Sequence, residues 1–249
     1  MTSSRARDDH EEVIVARDAE ELALLAAELI ARAIVAGVDE RGVARVALSG
    51  GTTPSDAYKR LAALALPWDA IEWFWVDERA VPPDHARSNA GAARRDLAAA
   101  PIPERRIHRM EGEAPDLAAA AARYEALLRA SFGVASAVAF DALVLGVGDD
   151  GHTASLFPGT GAAAIDDRLV AAIPAQPARG LEARLTLTAP VIQEARLALV
   201  LARGTLKRGP VAAARADGPL DEIPARVTRG ARGRLVWLLD EAAAAPPDA

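Results

Sequence analysis

The chain has 249 residues, of which 51% are hydrophobic and 26% charged, a balance typical of a folded globular protein and not of a disordered one. It contains no cysteine, which excludes disulfides, thiolate nucleophiles and zinc sites built on sulfur. The formal net charge of −6 argues against general affinity for nucleic acid, although a local arginine cluster can still bind a small anion.

The two ends of the chain carry no targeting signal that we can identify. The N-terminal sequence MTSSRARDDHEE lacks the apolar segment of a secretory signal. No stretch approaches the roughly 20 apolar residues that are needed to cross a bilayer. We therefore expect a cytoplasmic monomer with no membrane or nucleic-acid partner. A single domain is predicted over 13–240, with 1–12 and 241–249 as disordered tails.

Apolar runs typical of strands alternate with helical patterns along the chain. Strands are predicted at 13–15, 43–51, 71–79, 140–148, 184–188, 196–202 and 234–240. Helices are predicted at 18–36, from Pro54 onwards, at 88–99 with Ser88 as N-cap, at 115–131 and at 204–215. The alternation predicts a Rossmann-like α/β fold, with a mostly parallel, doubly wound sheet and helices on both faces. Ligands of such sheets gather at the carboxyl ends of the strands, so polar residues there are candidates for function.

The first candidate segment is SGGTT at 49–53, between a strand and the helix predicted from Pro54. Its glycines let the backbone approach an anion closely, and free N–H groups with the helix dipole favour negative charge. Hydroxyls of Ser49, Thr52 and Thr53 add donors. It is not a Walker A loop, because no Gly-Lys-Ser/Thr follows. Locally, phosphate binding and an ordinary strand–turn–helix junction are equal alternatives.

The second segment, at 75–91, ends a strand with Asp77 and Arg79. The two residues share one side of an extended chain, so we expect them to pair and to meet a substrate at the strand terminus. Arg79 is suited to bracing an oxyanion or a phosphate. Taken alone, the segment fits a solvated strand end better than a catalytic pair. His85 lies in a proline-rich loop and is assigned no role.

The third segment contains G-x-G-x-x-G at 146–151, which is the spacing of a dinucleotide-binding turn. We reject that reading for two reasons. Only six residues separate Gly151 from Pro158, too few for the helix that the fingerprint requires. The two aspartates inside the turn would also repel a pyrophosphate.

What remains of this segment is a glycine-rich turn that presents Asp150 and His152 at a strand end. An unperturbed histidine has a pKa of about 6.5, which suits proton transfer at neutral pH. Of the four histidines, His152 therefore has the setting of a catalytic base. A lone histidine is more often structural, and the flanking acids are what favour catalysis here.

Taken together, four segments resemble the superfamily of glucosamine-6-phosphate deaminases and 6-phosphogluconolactonases. They are LSGGTTP (48–54), DERAVPPDHARSN (77–89), GVGDDGHTASLFPG (146–159) and RLTLT (184–188). ARGTLKR (202–208) is similar to a looser glycine-to-lysine motif. Order and spacing agree from about residue 13 to 240. Thr52 stands where the superfamily commonly has serine, and it keeps the hydroxyl.

The resemblance implies hydrolysis of 6-phospho-D-glucono-1,5-lactone to 6-phospho-D-gluconate, a step of the pentose phosphate pathway. His152 would be the general base on water, with Arg79 stabilising developing negative charge and Asp77 and Asp150 in support. The phosphate would be bound by Ser49, Gly50, Gly51, Thr52, Arg184 and Lys207. No metal and no cofactor are implied, because a δ-lactone is already reactive.

Two alternatives are weaker. The deaminase branch resembles a pattern with tyrosine after Asp-Glu and a glutamate five residues beyond the histidine, where this chain has Arg79 and Phe157. A phenylalanine cannot relay the protons that deamination requires. A sugar-phosphate sensor would keep the phosphate turn but not need His152, and it would normally carry a DNA-binding module for which this chain leaves no room.

Overall fold

A computed structural model describes residues 11–133 and 137–246, and within these ranges it contains nine strands and seven α-helices. The strands are β1 (Glu11–Ala16), β2 (Ala44–Leu48), β3 (Ile71–Trp75), β4 (Asp77–Arg79), β5 (Ala142–Gly146), β6 (Val170–Ile173), β7 (Arg184–Leu187), β8 (Leu197–Ala202) and β9 (Arg234–Asp240). The helices are α1 (Ala19–Arg41), α2 (Thr52–Leu61), α3 (Asn89–Asp96), α4 (Leu117–Phe132), α5 (Ala189–Glu194), α6 (Arg208–Arg215) and α7 (Glu241–Ala244).

Helix boundaries follow local capping chemistry. Asp18 caps α1, its carboxylate accepting a hydrogen bond from the Glu21 amide at 2.8 Å. Gly42 ends α1 at φ 73°, a left-handed conformation in which glycine has no Cβ to clash. Ser88 caps α3 by accepting from the Gly91 amide at 3.0 Å, so the predicted N-cap is confirmed.

Six strands form one parallel sheet in the order β1-β9-β8-β5-β2-β3. The chain moves outward from β2 to β3 and then returns to the other side of β2 to build β5, β8 and β9. The direction of winding therefore reverses between β2 and β5. A crevice opens at such a reversal beyond the carboxyl ends of the two strands.

The segment predicted as one strand at 71–79 belongs to two sheets, which corrects the prediction. β3 lies in the parallel sheet, whereas β4 lies in a three-stranded antiparallel sheet of order β4-β7-β6. Val76 is the corner: its N–H donates to Leu48 of the parallel sheet at 2.9 Å, and its carbonyl accepts from Leu187 of the second sheet at 2.7 Å. The second sheet carries RLTLT and places Arg184 directly opposite Arg79.

Side chains of the parallel sheet alternate between two apolar cores. Leu143 and Leu145 pack into a core shared with α4, α5, α6 and the second sheet. Val144, between them, packs into the other core with α1, α2 and α3. Both faces of the sheet are covered, which explains the continuous apolar runs of its central strands. The predicted doubly wound architecture is confirmed.

The predicted tails were too long at their inner ends. Glu11 and Glu12 already pair with β9 at the edge of the sheet, so the ordered part begins before residue 13. At the other end, Asp240 caps α7 by accepting from the Ala243 amide at 2.8 Å. The rest of these segments, 1–10 and 247–249, lies outside the described residues.

Two short elements, β6 and α5, were not predicted, because four and six residues are too few to show a clear period. None of the helices in the described ranges has both the length and the apolar character of a membrane span.

Candidate active site

A cavity of about 360 Å³ lies at the carboxyl ends of β2 and β5, where the winding of the sheet reverses. Its walls come from residues that are far apart in the sequence. Nine of the ten predicted site residues line it: Ser49, Gly50, Gly51, Thr52, Asp77, Arg79, His152, Arg184 and Lys207. The tenth, Asp150, lies behind the wall and contacts His152. The fold therefore brings all of these residues to one place.

The turn after β2 presents backbone groups and hydroxyls to the cavity. Gly51 is the N-cap of α2, and no side chain caps the first turn of that helix. The helix begins at Thr52, two residues before the predicted start at Pro54. Gly51 has φ 117°, which side-chain-bearing residues rarely adopt. Free amides at a helix N-terminus are donors suited to an anion.

The position of this turn is fixed from behind. The Tyr58 hydroxyl accepts from the Ser49 amide and donates to the Ser49 carbonyl, both at 3.0 Å. A Cβ on Gly50 would lie 1.9 Å from the Asn89 side-chain oxygen, so only glycine fits there. The Ser49 hydroxyl is buried and has no hydrogen-bond partner among the described residues. A buried hydroxyl without a partner is costly, and a ligand oxygen would satisfy it.

Arg184 is the most deeply buried cation of the site, with 9% of its surface exposed. Burial lowers the pKa of its guanidinium below the usual value, although nearby Asp77 partly offsets this. The nearest carboxylate atom of Asp77 is 3.8 Å from Nη1, and the guanidinium lies 5.3 Å from the centre of the Phe157 ring. Within 11–133 and 137–246, its Nε has no hydrogen-bond partner. This cation is thus incompletely paired and suited to binding an anion.

Arg79 and Lys207 bring further positive charge. Arg79 donates to the Arg87 carbonyl at 2.7 Å, and its Nε is buried without a partner. It stands opposite Arg184 in the antiparallel register, an arrangement of like charges that is unfavourable unless an anion lies between them. The Lys207 ammonium donates to Asp149 at 2.5 Å.

The predicted Asp77–Arg79 pair is wrong. Asp77 accepts hydrogen bonds from the Ser155 hydroxyl at 2.6 Å and from the Asn89 amide at 3.0 Å, and its ion pair is with Arg184. The cause is the second sheet: Arg184 is the diagonal cross-strand neighbour of Asp77, whereas Arg79 is turned toward the Arg87 carbonyl.

His152 is held by Asp150 in the geometry of a catalytic dyad. Its Nδ1 lies 2.5 Å from Asp150 Oδ1, and the same oxygen accepts from the His152 amide at 3.1 Å. Burial alone would raise the pKa of the Asp150 carboxyl, but the hydrogen bonds and charge of His152, with the charge of Arg179, bring it below its ordinary value. An ionised Asp150 fixes the proton on Nδ1. Nε2 has no hydrogen-bond partner in the described part of the chain and faces a cavity that it helps to line.

Glycines make the turn that carries this histidine. A Cβ on Gly148 would lie 2.0 Å from His152 Nδ1 and would displace the ring. Gly151 has φ 81°, and Ala154, which lines the cavity, has φ 49°. Between Gly151 and residue 161 the chain forms turns, bends and an isolated β-bridge of Thr153 with Leu156 but no helix, so the rejection of a dinucleotide-binding helix is confirmed.

Sequence reasoning missed four residues of the site. Asn89 and Ser155 hold Asp77, Asp149 pairs with Lys207, and Arg179 contacts Asp150. The first three lie inside segments that were already singled out, and that position was the available signal. Arg179 lies in no such segment.

The site contains a base, buried cations and amide donors, a set suited to acid–base chemistry on an anionic substrate. Over the described ranges, no three His, Asp or Glu side chains are grouped to hold a metal ion.

Known proteins are similar to this chain over nearly its whole length. Residues 17–237 match the family model described as glucosamine-6-phosphate isomerases/6-phosphogluconolactonase. A 6-phosphogluconolactonase of Synechocystis sp. is 43% identical over 84% of this chain and 87% of its own. The human protein of the same name is 36% identical over 93% and 92%. A solved 6-phosphogluconolactonase from Trypanosoma brucei superposes with a TM-score of 0.83 at 30% identity, over 94% of this chain and 97% of that one.

Proposed function

The chain belongs to the glucosamine-6-phosphate isomerase/6-phosphogluconolactonase family, and from this we propose that it hydrolyses 6-phospho-D-glucono-1,5-lactone to 6-phospho-D-gluconate, with His152 as general base. The observation that carries the mechanism is the Asp150–His152 dyad, whose free Nε2 shares a cavity with the buried Arg184. Relatives over most of the chain length carry the lactonase name. This reaction places the protein in the pentose phosphate pathway.

The phosphate of the substrate binds between the turn after β2 and the two cations on the opposite wall. Amides and hydroxyls of 49–52 donate to its oxygens, while Arg184 and Lys207 neutralise its charge. The unpartnered Ser49 hydroxyl and Arg184 Nε support this placement, because each lacks a partner within the protein. Asp77 holds Arg184 in position through the contact at 3.8 Å.

The lactone ring opens by addition and elimination. His152 Nε2 takes a proton from a water molecule as its oxygen attacks the C1 carbonyl, giving a tetrahedral oxyanion. Arg79 lies in the same cavity and stabilises that charge. The intermediate collapses with cleavage of the C1–ring oxygen bond, and the protonated His152 returns its proton to the departing oxygen. The product acid then ionises in water.

Deamination of an amino sugar phosphate is disfavoured by Phe157. Its ring centroid lies 4.7 Å from that of His152 and 5.3 Å from the Arg184 guanidinium carbon. A carboxylate at this position would reach both groups and relay protons. The phenyl ring instead makes that wall apolar, which suits hydrolysis by a single base.

The chain is proposed to act as a cytoplasmic monomer. The predicted site residues come together within one chain, nine of them lining the cavity and Asp150 in contact with His152, and this supports a site that one copy completes. The substrate is a charged sugar phosphate and is retained in the compartment where it is made.

The test of this function is hydrolysis of freshly generated lactone near pH 7, corrected for the spontaneous reaction. We expect His152→Ala to lower kcat by about 10²–10⁴ while product affinity changes little, because the base acts in the transition state. His85→Ala, which removes an exposed histidine outside the cavity lining, is the matched control. Turnover of His152→Ala close to that of the control would remove this residue from the mechanism.

A further inference from the structure

Arg179 belongs to a short, closed turn next to the segment that carries His152. The turn is a 3-10 helix, Pro177–Arg179, ended by Gly180 at φ 66°. Its base is closed by Gln176 and Leu181, whose amides and carbonyls exchange hydrogen bonds at 2.8 and 3.2 Å. A loop tied at its base in this way presents its side chains in a defined direction.

The Arg179 guanidinium makes three contacts that together hold the histidine-bearing segment. Nη2 donates to Asp150 Oδ2 at 3.1 Å. Nη1 donates to the Pro158 carbonyl and to the Gln176 side-chain oxygen, each at 3.1 Å. Asp150 and Pro158 flank His152 in sequence, so one planar group ties both sides of the turn to the loop.

The two oxygens of the Asp150 carboxylate therefore have different partners. Oδ1 faces His152 Nδ1 at 2.5 Å, and Oδ2 faces Arg179. With Oδ2 held, the carboxylate cannot rotate away from the imidazole without breaking a charge-assisted hydrogen bond. Arg179 thus contacts Asp150, Asp150 contacts Nδ1 of His152, and the other ring nitrogen of His152, Nε2, is left for the cavity.

We propose that Arg179 is a positioning residue for the reaction, acting through the Asp150 carboxylate to set the orientation and basicity of His152. This rests on the proposed function of His152. Arg179 is not among the residues that line the cavity. Its side chain is 38% exposed, so its effect comes from geometry and local charge and not from packing.

The sign of the effect on basicity follows from the charges. Asp150 stabilises the imidazolium form of His152, and Arg179 takes part of that negative charge for itself. Without Arg179 the Asp150 carboxylate loses one of the charges that hold its pKa below the ordinary value, so the pKa of Asp150 rises and the ionised form that orients His152 requires a higher pH. The other charged groups lining the cavity around His152 are Asp77, Arg79, Asp149, Arg184 and Lys207. All of these are unchanged in the variants below.

The kinetic experiment compares Arg179→Ala and Arg179→Lys with the wild-type chain. For Arg179→Ala we expect kcat to fall about tenfold, the lower end of the effect of losing a charge-assisted hydrogen bond, with KM unchanged. The acidic limb of its kcat profile should move to higher pH. Arg179→Lys restores the positive charge but not the planar guanidinium with its several donors. The acidic limb of the kcat profile should therefore move back toward its wild-type pH, while kcat itself recovers only in part.

A second background separates positioning from mere structural support. In Asp150→Asn, the carboxylate that transmits the effect is gone, so Arg179→Ala should lower kcat by less than twofold further. Arg168→Ala is the matched control, because Arg168 is an exposed arginine whose guanidinium donates through Nε and Nη2 to the neighbouring Asp167 carboxylate. Equal losses from Arg179→Ala in both backgrounds would overturn the proposal.

A readout without catalysis distinguishes failure of this inference from failure of the proposed function. The carboxyl group of Asp150, whose pKa is held low in part by the charge of Arg179, is titrated by NMR in the wild type and in Arg179→Ala. We expect the titration to move to higher pH in the variant, whatever the reaction catalysed. An unmoved titration refutes the role of Arg179, whereas an inactive wild type with a moved titration refutes only the lactonase assignment.

Discussion

Among single side chains, Arg184 has the surroundings that most require an anion. It is nearly buried, its pKa is lowered by that burial, and its Nε has no protein partner. Asp77 lies at 3.8 Å but already accepts two hydrogen bonds from Asn89 and Ser155. A buried cation with so little compensation is costly unless it binds a ligand of opposite charge. Burial of this charge lowers the stability of the fold, and binding of an anion offsets that cost.

Arg184→Ala tests that recognition with two substrates. We expect KM for the phosphorylated lactone to rise about 10- to 100-fold, the effect of losing a charge-assisted hydrogen bond of about 1.5–3 kcal/mol. Gluconolactone without the phosphate should be a poor substrate for the wild type and should be almost unaffected by the substitution. Equal damage to both lactones would assign Arg184 to the fold or the chemistry and not to the phosphate.

At the scale of elements, Glu78 joins β4 to the start of α3. Its carboxylate accepts from the Ser88 hydroxyl at 2.9 Å and from the amides of Asn89 and Ala90 at 2.8 and 2.9 Å. Burial raises the pKa of Glu78, and these donors offset part of that rise. Asn89, the first residue of α3, in turn donates a hydrogen bond to Asp77 in the cavity wall. A shift of α3 would therefore move Asp77.

Glu78→Gln should loosen this junction. The amide nitrogen of glutamine is a donor facing other donors, so at least one buried amide or hydroxyl loses its acceptor. We expect the free energy of unfolding to fall by about 1–3 kcal/mol, with a loss of activity as Asn89 shifts. Urea unfolding measures the first effect and lactone hydrolysis the second. Glu104→Gln, at a carboxylate that is 70% exposed, is the control; equal stability of the two variants would contradict the role of Glu78.

For the molecule as a whole, the site depends on a sheet that is buried on both faces. Leu143 is fully buried in β5, between Ala47 of β2 and Ala198 of β8. These are central strands of the sheet, and β2 and β5 end at the cavity. The two apolar cores on either side keep their ends in register.

Leu143→Ala should therefore affect stability more than catalysis. We expect the free energy of unfolding to fall by about 2–5 kcal/mol because a cavity is left in a packed core. At temperatures where the variant is still folded, kcat should remain near that of the wild type, since Leu143 does not line the site. Leu24→Ala, at a leucine 44% exposed on α1, should cost about 0.5 kcal/mol or less. A stability of Leu143→Ala close to that control would contradict this account of the core.

The sequence by itself predicted most of the elements and pointed to residues that the structure brings to the cavity. Apolar periods, caps such as Ser88 and glycines at strand ends are local signals, because they depend on a few neighbouring residues. Whereas Arg184 was named only from the resemblance to the superfamily, these local signals were enough to predict the alternating fold and to single out His152. They did not show the division of 71–79 at Val76, because that turn is set by hydrogen bonds to Leu48 and Leu187, far away in the chain.

Only the tertiary structure decided which charges meet. Asp77 and Arg79 are close in sequence, yet Asp77 pairs with Arg184, 107 residues later, because antiparallel pairing of β4 with β7 makes them diagonal neighbours. Arg179 also contacts a residue distant in sequence, because its guanidinium donates to Asp150, 29 residues earlier in the chain. An ion pair forms only where two charges lie close together in space. The order of residues along the chain does not show which distant segments the fold brings into contact.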